Sequence, residues 1–217
     1  MSSASSELAC IVSALVGAVV AMRRSRRAQR TITKLDALAL RKPINGAPVA
    51  ALGALLGALT YRQFGFSLEM VAYGLMIAMC IEQSIIDYAT HRLPRGVTFR
   101  AAIVGGPLLT LAAINHDDNG RIGAMFASFV VTLALFALLA AFSKGGIGGG
   151  DVRLAPVLAM FLGWLSASHV YIGLGSGFIL GGVVAAGMLV TRRASTSTRI
   201  AFGPFLCIGA VIASLLI

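Results

Sequence analysis

The sequence predicts an all-α polytopic membrane bundle of seven to eight helices. Three observations carry that reading. Of 217 residues, 58% are hydrophobic and only 12% are charged, against about 25% charged in a soluble domain. The mean hydropathy is +0.88. The apolar residues also fall in continuous runs, where a β-barrel would alternate apolar and polar positions. Together these exclude an ordinary cytosolic domain, a disordered chain and a disulfide-rich secreted module. A chain of this length holds up to eight spans of about 20 residues with tight loops and little else.

The first apolar run covers residues 8–22. A strongly basic segment follows over 23–42, with a weak helical pattern around 35–40. The second run, 48–61, is short; the third covers 68–86 and the fourth 97–114. A polar turn, Asn115-His-Asp-Asp-Asn-Gly120, leads into the fifth run, 122–142. The glycine-rich stretch Lys144–Gly150 precedes the sixth, 152–165, and the seventh covers 170–191. A basic turn over 192–199 leads into the eighth, 202–217. The second and sixth runs are short enough to be tilted, broken or partly re-entrant.

Net charge is +10. In a soluble protein this points to nucleic acid; here the basic residues sit between apolar runs, so no nucleic-acid partner is expected. Sixteen of the eighteen Lys and Arg lie in alternate loops, at 23–42, 88–100, 143–153 and 192–199. The opposite set holds only Arg62 and Arg121, with Asp117 and Asp118. The positive-inside rule puts the basic set in the cytoplasm and, for eight spans, both termini outside. The basic segment from Arg23 to Arg30 reads as a topology anchor on anionic lipid, with docking of an assembly partner as the other reading. Cys10, Cys80 and Cys207 lie in apolar runs without a Cys-x-x-Cys pair, so they read as small packed hydrophobes. Ser6-Glu7-Leu8-Ala9-Cys10 is not expected to be a lipoprotein box, nor the N-terminus a signal peptide, because positive charge follows the first apolar run.

Eight acidic residues are present. Glu7, Asp36, Asp117 and Asp118 belong to tail or loops, and Glu69 starts a span near the outer face. Glu82, Asp87 and Asp151 fall at or just inside the cytoplasmic ends of spans. A carboxylate there costs a few kcal/mol unless it faces the bundle interior, a partner or water. For Asp87 a functional group and an interfacial residue reaching for water both stay open. Glu82 is read as structural, since five residues do not stack it on Asp87. Asp87 ends an apolar helix and is followed by Leu93-Pro94. Asp151 closes Gly148-Gly149-Gly150-Asp151, and glycines there let the backbone approach a ligand or another segment closely. The bland alternative is a flexible inter-helix loop.

Asp87 and Asp151 each follow an outside-to-inside span, so topology puts both at one face. If they meet, they share one proton, because two adjacent carboxylates do not both ionise easily. The ionised partner then takes a proton from water, which attacks a peptide carbonyl while the protonated partner donates to the carbonyl oxygen. This needs no metal and no cofactor. His91, His116 and His169 lie in separate turns on both faces, and neither a Gly-x-Ser-x-Gly elbow nor an HExxH motif is present.

These residues resemble the type IV prepilin peptidases, membrane aspartyl proteases of the Gly-x-Gly-Asp class. The likeness covers about residues 48–217 and rests on three landmarks in order. They are Asp87 with Leu93-Pro94, then Gly148-Gly149-Gly150-Asp151 with Arg153 where the family usually has lysine, then Ala201-Phe202-Gly203-Pro204-Phe205-Leu206. The last is similar to the family's Pro-Phe-Gly-Pro-Phe-Leu and unlike the Pro-Ala-Leu of presenilin-like and signal-peptide peptidases. The resemblance implies Asp87 and Asp151 as the catalytic pair, with Pro94, Gly148, Gly150, Arg153, Gly203 and Pro204 supporting them. Arg153 is read as holding lipid headgroups or a backbone carbonyl, or as tuning Asp151. The implied reaction removes the short basic leader of prepilin or pseudopilin precursors at the cytoplasmic membrane face. Pilus or secretion assembly components are possible partners, and a prokaryotic inner membrane is the implied location. Bifunctional relatives carry a domain with two Cys-x-x-Cys pairs; this chain has none, so a short peptidase-only form is expected. Residues 1–47 then form an N-terminal helix and basic loop, and 48–217 the peptidase-like membrane domain. Two other classes stay open: a proton-coupled transporter using Asp87 and Asp151, and an inactive scaffold of a pilus or secretion system.

Overall fold

A computed structural model describes residues 3–35, 44–143, 147–191 and 201–216. Eight helices follow in order: α1 (Ser3–Leu35), α2 (Gly46–Phe64), α3 (Leu68–Thr90), α4 (Arg95–Asn115), α5 (Gly120–Phe142), α6 (Asp151–Leu165), α7 (Ala167–Val190) and α8 (Gly203–Leu216). All eight predicted runs are helical, and no strand occurs among the described residues. Five helices, α1, α3, α4, α5 and α7, are long and apolar enough to cross a membrane. The chain is a multi-pass membrane helix bundle. Chain neighbours run antiparallel: Glu69 meets His116 at one end of the α3–α4 pair, and Gln83 meets Thr98 at the other.

The short second and sixth runs are single unbroken helices. α6 has 15 residues, about 22 Å at 1.5 Å per residue, and so falls short of a bilayer core about 30 Å thick. Twelve of those residues are buried, from Asp151 to Trp164, so α6 is enclosed on all sides. It packs against α4, α5, α7 and α8 and touches α3, which is the other central helix. In α5 only Met125, Thr132 and Phe136 are buried, which leaves its other faces to lipid.

Small residues set the helix spacing, as expected where lipid is as apolar as leucine. Ser13, Gly17 and Ala21 of α1 lie against Gly53 and Gly57 of α2, and a Cβ on Gly17 would strike the Gly53 carbonyl. Gly173 and Gly177 of α7 meet Gly209 of α8 in the same way. Buried polar groups tie the centre. Tyr73 donates its hydroxyl hydrogen to the Phe161 carbonyl (2.7 Å), and Trp164 Nε1 donates to that of Leu109 (2.9 Å). At that end Arg121 lies 4.5 Å above the Trp164 ring and bonds Asp118. Glu69, in the first turn of α3, is buried in the bundle and pairs with His116 at 2.6 Å.

The basic segment also differs from a loop. Through Leu35 it is a continuation of α1. Arg, Lys and Gln favour helix, and Ala21, Ser25, Ala28 and Ile32 recur at helical spacing on a buried face. Ala28 and Ile32 pack against Ile86 of α3. Arg24 reaches Glu82 at 2.8 Å, so a buried carboxylate in α3 has its counter-ion from α1. The helical pattern over 36–40, the rest of the basic segment and the turn over 192–199 lie outside the described residues.

Gly53→Ala should lower the unfolding midpoint in detergent, at a cost of about 1–3 kcal/mol for overpacking. Gly74→Ala should leave it unchanged or raise it, because a Cβ there meets nothing within 4 Å. Equal midpoints for the two would sink the small-residue account of the α1–α2 interface.

Candidate active site

Asp87 lies in the last turn of α3, which extends to Thr90, four residues beyond the predicted end. His91 closes the helix in the left-handed region (φ 50°), its N–H donating to the Asp87 carbonyl at 2.8 Å. The chain then turns through Leu93 to Pro94, the residue preceding α4, whose ring fixes φ near −65°; it is −64° here. One turn of α3 before Asp87 stands Gln83, fully buried. Its Nε2 donates to the Pro94 carbonyl (3.2 Å) and to Thr98 Oγ1 (2.6 Å). The turn carrying Leu93 is thereby strapped to the helix carrying Asp87.

Leu93 joins the three sequence landmarks. A Cβ built on Gly150 would lie 2.8 Å from Leu93 Cβ. A Cβ on Gly203 would lie 3.1 Å from Leu93 Cδ2 and 2.9 Å from Asp87 Oδ2. A Cβ at 150 would force Leu93 to shift, and one at 203 would press on the ends of the Leu93 and Asp87 side chains, so glycine gives the closest approach at both positions. Leu93, Ile147 and Phe202 each pack on the main core, so each landmark segment has its own apolar anchor.

The Gly203 N–H donates to Asp87 Oδ2 at 3.0 Å. Gly203 opens α8, and an anion at a helix N-terminus is favoured by the unpaired N–H groups and the helix dipole. Pro204 follows in the first turn, where a missing N–H costs nothing. Asp151 opens α6. Its N–H donates to the Gly148 carbonyl at 2.9 Å, and the Gly148 backbone also bonds its carboxylate. Arg153 Nε donates to the Gly149 carbonyl at 2.6 Å, holding the glycine loop in place.

Asp87 is 5% exposed and Asp151 8%, and the two carboxylates interact electrostatically. Asp151 Oδ1 is buried without a hydrogen-bond partner. The site is thus a pair of shielded carboxylates at two helix N-termini, able to hold and pass a proton at one place. Pro94, Gly148, Gly150, Arg153, Gly203 and Pro204 all stand at this end of the bundle. Glu82 is engaged by Arg24. Of the histidines, only His91 is close, and it is exposed; His116 and His169 lie at the opposite ends of their helices. Among the described residues no cluster of three or more His, Cys, Asp and Glu could hold a metal ion. Sequence reasoning missed Gln83, although a lone amide four residues before Asp87 in an apolar run was a readable signal. It also missed Arg24 as the partner of Glu82, a pairing between residues 58 positions apart.

Gln83→Leu should lower the unfolding midpoint by the cost of leaving the buried Thr98 hydroxyl without its donor and the Pro94 carbonyl with only its Val97 N–H bond, about 1–3 kcal/mol. Gln63→Leu, at an exposed position, should shift it little. An unchanged midpoint for Gln83→Leu would mean that the amide does not strap the turn.

The model of the Type IV leader peptidase family matches residues 71–191, a stretch that contains both aspartates. A prepilin leader peptidase/N-methyltransferase of Bacillus subtilis is 27% identical over 156 residues, 70% of this chain and 58% of that protein. Its counterpart in Pseudomonas aeruginosa is 31% identical over 169 residues, 75% of this chain and 55% of that protein. The Escherichia coli protein of the same description is 29% identical over 136 residues, 59% and 56% of the two chains. This chain therefore spans little more than half the length of these relatives, and no solved structure matches it. The family match covers more than half of the chain, and the chain belongs to the type IV leader peptidase family.

Proposed function

We propose that this chain is a membrane aspartic endopeptidase that removes the leader of prepilin or pseudopilin precursors. The observation that carries the reading is the convergence of Asp87 and Asp151 at two helix N-termini, held by the Leu93 contacts. In the proposed reaction one carboxylate takes a proton from water as the water oxygen bonds to the scissile carbonyl carbon. The other donates its proton to the carbonyl oxygen. The C–N bond then breaks, the leaving amine takes up a proton, and the pair returns to its singly protonated state. Enclosure by α3, α6 and α8 excludes bulk water and strengthens the interactions among these groups.

Pro94, Gly148, Gly150, Arg153, Gly203 and Pro204 support the pair in this reading, by the contacts described above. The basic residues described at the aspartate end, from Arg23 to Lys34 and at Arg92, Arg95, Arg100 and Arg153, support a cytoplasmic orientation of the site in a prokaryotic inner membrane. We take residues 48–217 as the peptidase unit and 1–47 as an N-terminal addition, a helix and a basic segment, whose helix supplies Arg24. Pilus or secretion components are the assembly partners this reading implies.

The test is co-expression with a pilin-like precursor whose leader ends in glycine, followed by the mass of the pilin. The native chain should release the leader. Asp87→Asn and Asp151→Asn should each slow release at least about a hundredfold, because an amide cannot exchange the proton. Release that survives either substitution would remove that residue from the catalytic pair, and precursors left uncut by the folded native chain would refute the reading.

A further inference from the structure

We propose that the arginines of α1 form a discrete, saturable site for the phosphate-bearing headgroup of an anionic phospholipid. A cavity of about 340 Å³ lies beside α1, lined among the described residues by Val20, Arg23, Arg24, Arg26, Arg27 and Arg30. That volume falls within the range of small-ligand sites, about 300–1,000 Å³. Arg24 is already committed to Glu82. Among the described residues no carboxylate pairs with Arg23, Arg26, Arg27 or Arg30.

These four stand at i, i+3, i+4 and i+7, which is one face of a helix. The face is opposite to the one buried at Ala21, Ser25, Ala28 and Ile32. It continues toward the N-terminus as Val19, Val16, Val12 and Leu8, again at steps of three and four, and these are 51%, 55%, 45% and 66% exposed. From Leu8 to Val19 the rise is about 16 Å, close to one leaflet of a hydrocarbon core about 30 Å thick. From Arg23 to Arg30 it is a further 10 Å or about two turns. One stripe of α1 thus offers an acyl chain a wall one leaflet deep and, immediately beyond it, a cluster of guanidiniums matched to phosphate oxygens. A diffuse topology anchor needs only charge near the surface. A cationic hollow at the end of a continuous apolar stripe points instead to one bound lipid.

The inference is independent of the peptidase reading. The purified full chain in neutral detergent is incubated with phosphatidylglycerol, phosphatidylcholine or inorganic phosphate and examined by native mass spectrometry. Phosphatidylglycerol should remain bound at a fixed stoichiometry that saturates, while phosphatidylcholine and phosphate do not. Combined Arg23→Gln, Arg26→Gln, Arg27→Gln and Arg30→Gln, with Arg24 kept, should weaken retention about fivefold per arginine. Equal retention of the two lipids by the native chain, retention that never saturates, or unchanged retention in a folded variant would overturn the site. Binding of inorganic phosphate as tight as that of the lipid would make the ligand a soluble anion and overturn the lipid assignment. The lipid comparison on the native chain decides the matter even if the fourfold variant does not fold.

Discussion

The site depends on Leu93 filling the narrow space between the backbones at Gly150 and Gly203. Asp87, Asp151 and Gly203 come from helices far apart in sequence, and no hydrogen bond joins the two aspartates directly among those described. What brings them together is one side chain that touches both glycine segments while its own turn is held by Gln83. Close packing makes such an arrangement unforgiving, since a single added carbon at either glycine meets an atom inside contact distance. The Gly203 N–H to Asp87 bond is then a consequence of that approach as much as a cause of it.

The distribution of charge gives this geometry its meaning. A carboxylate near membrane depth is costly unless it is paired or faces a polar cavity. Glu69 has His116 and Glu82 has Arg24. Among the described residues, Asp87 and Asp151 are bonded by backbone N–H groups and face each other, with no salt-bridge partner. The bundle thus gives two buried acids side-chain partners and leaves the other two facing one another, which is the arrangement that the proposed proton exchange uses. The Arg24–Glu82 bond also makes the first 35 residues part of the framework, because it fixes α1 to the helix that carries Asp87.

Much of this was legible in the sequence, for physical reasons. Continuous apolar runs report membrane helices directly, and the alternation of basic loops reports which ends share a face. Hence the seven to eight expected helices, and the placing of Asp87 and Asp151 at one end, followed from composition and order. Helix ends were harder. α3 continues to Thr90 because the backbone of its last turn, at Asp87, is satisfied by His91 in a left-handed cap, which no periodicity records. The helical state of 23–35 was hidden because the segment's polarity masks a buried stripe of small residues. Side-chain pairing was least legible: Gln83 with Thr98 and Arg24 with Glu82 depend on which helices pack together, and a single sequence does not state that.

The most direct test of the central contact is a cross-link. With Cys10, Cys80 and Cys207 replaced by alanine, Leu93→Cys and Gly150→Cys are combined and the chain is oxidised mildly in membranes without substrate. A disulfide needs Cβ atoms about 3.5–4.5 Å apart, and the two positions stand at 2.8 Å, so a small outward adjustment closes the bond. The account predicts near-complete conversion to a reducible intramolecular disulfide, read as loss of both alkylatable thiols by mass. Two free thiols after oxidation of the folded chain would contradict it, and would mean that the turn after Asp87 does not bear on the loop before Asp151.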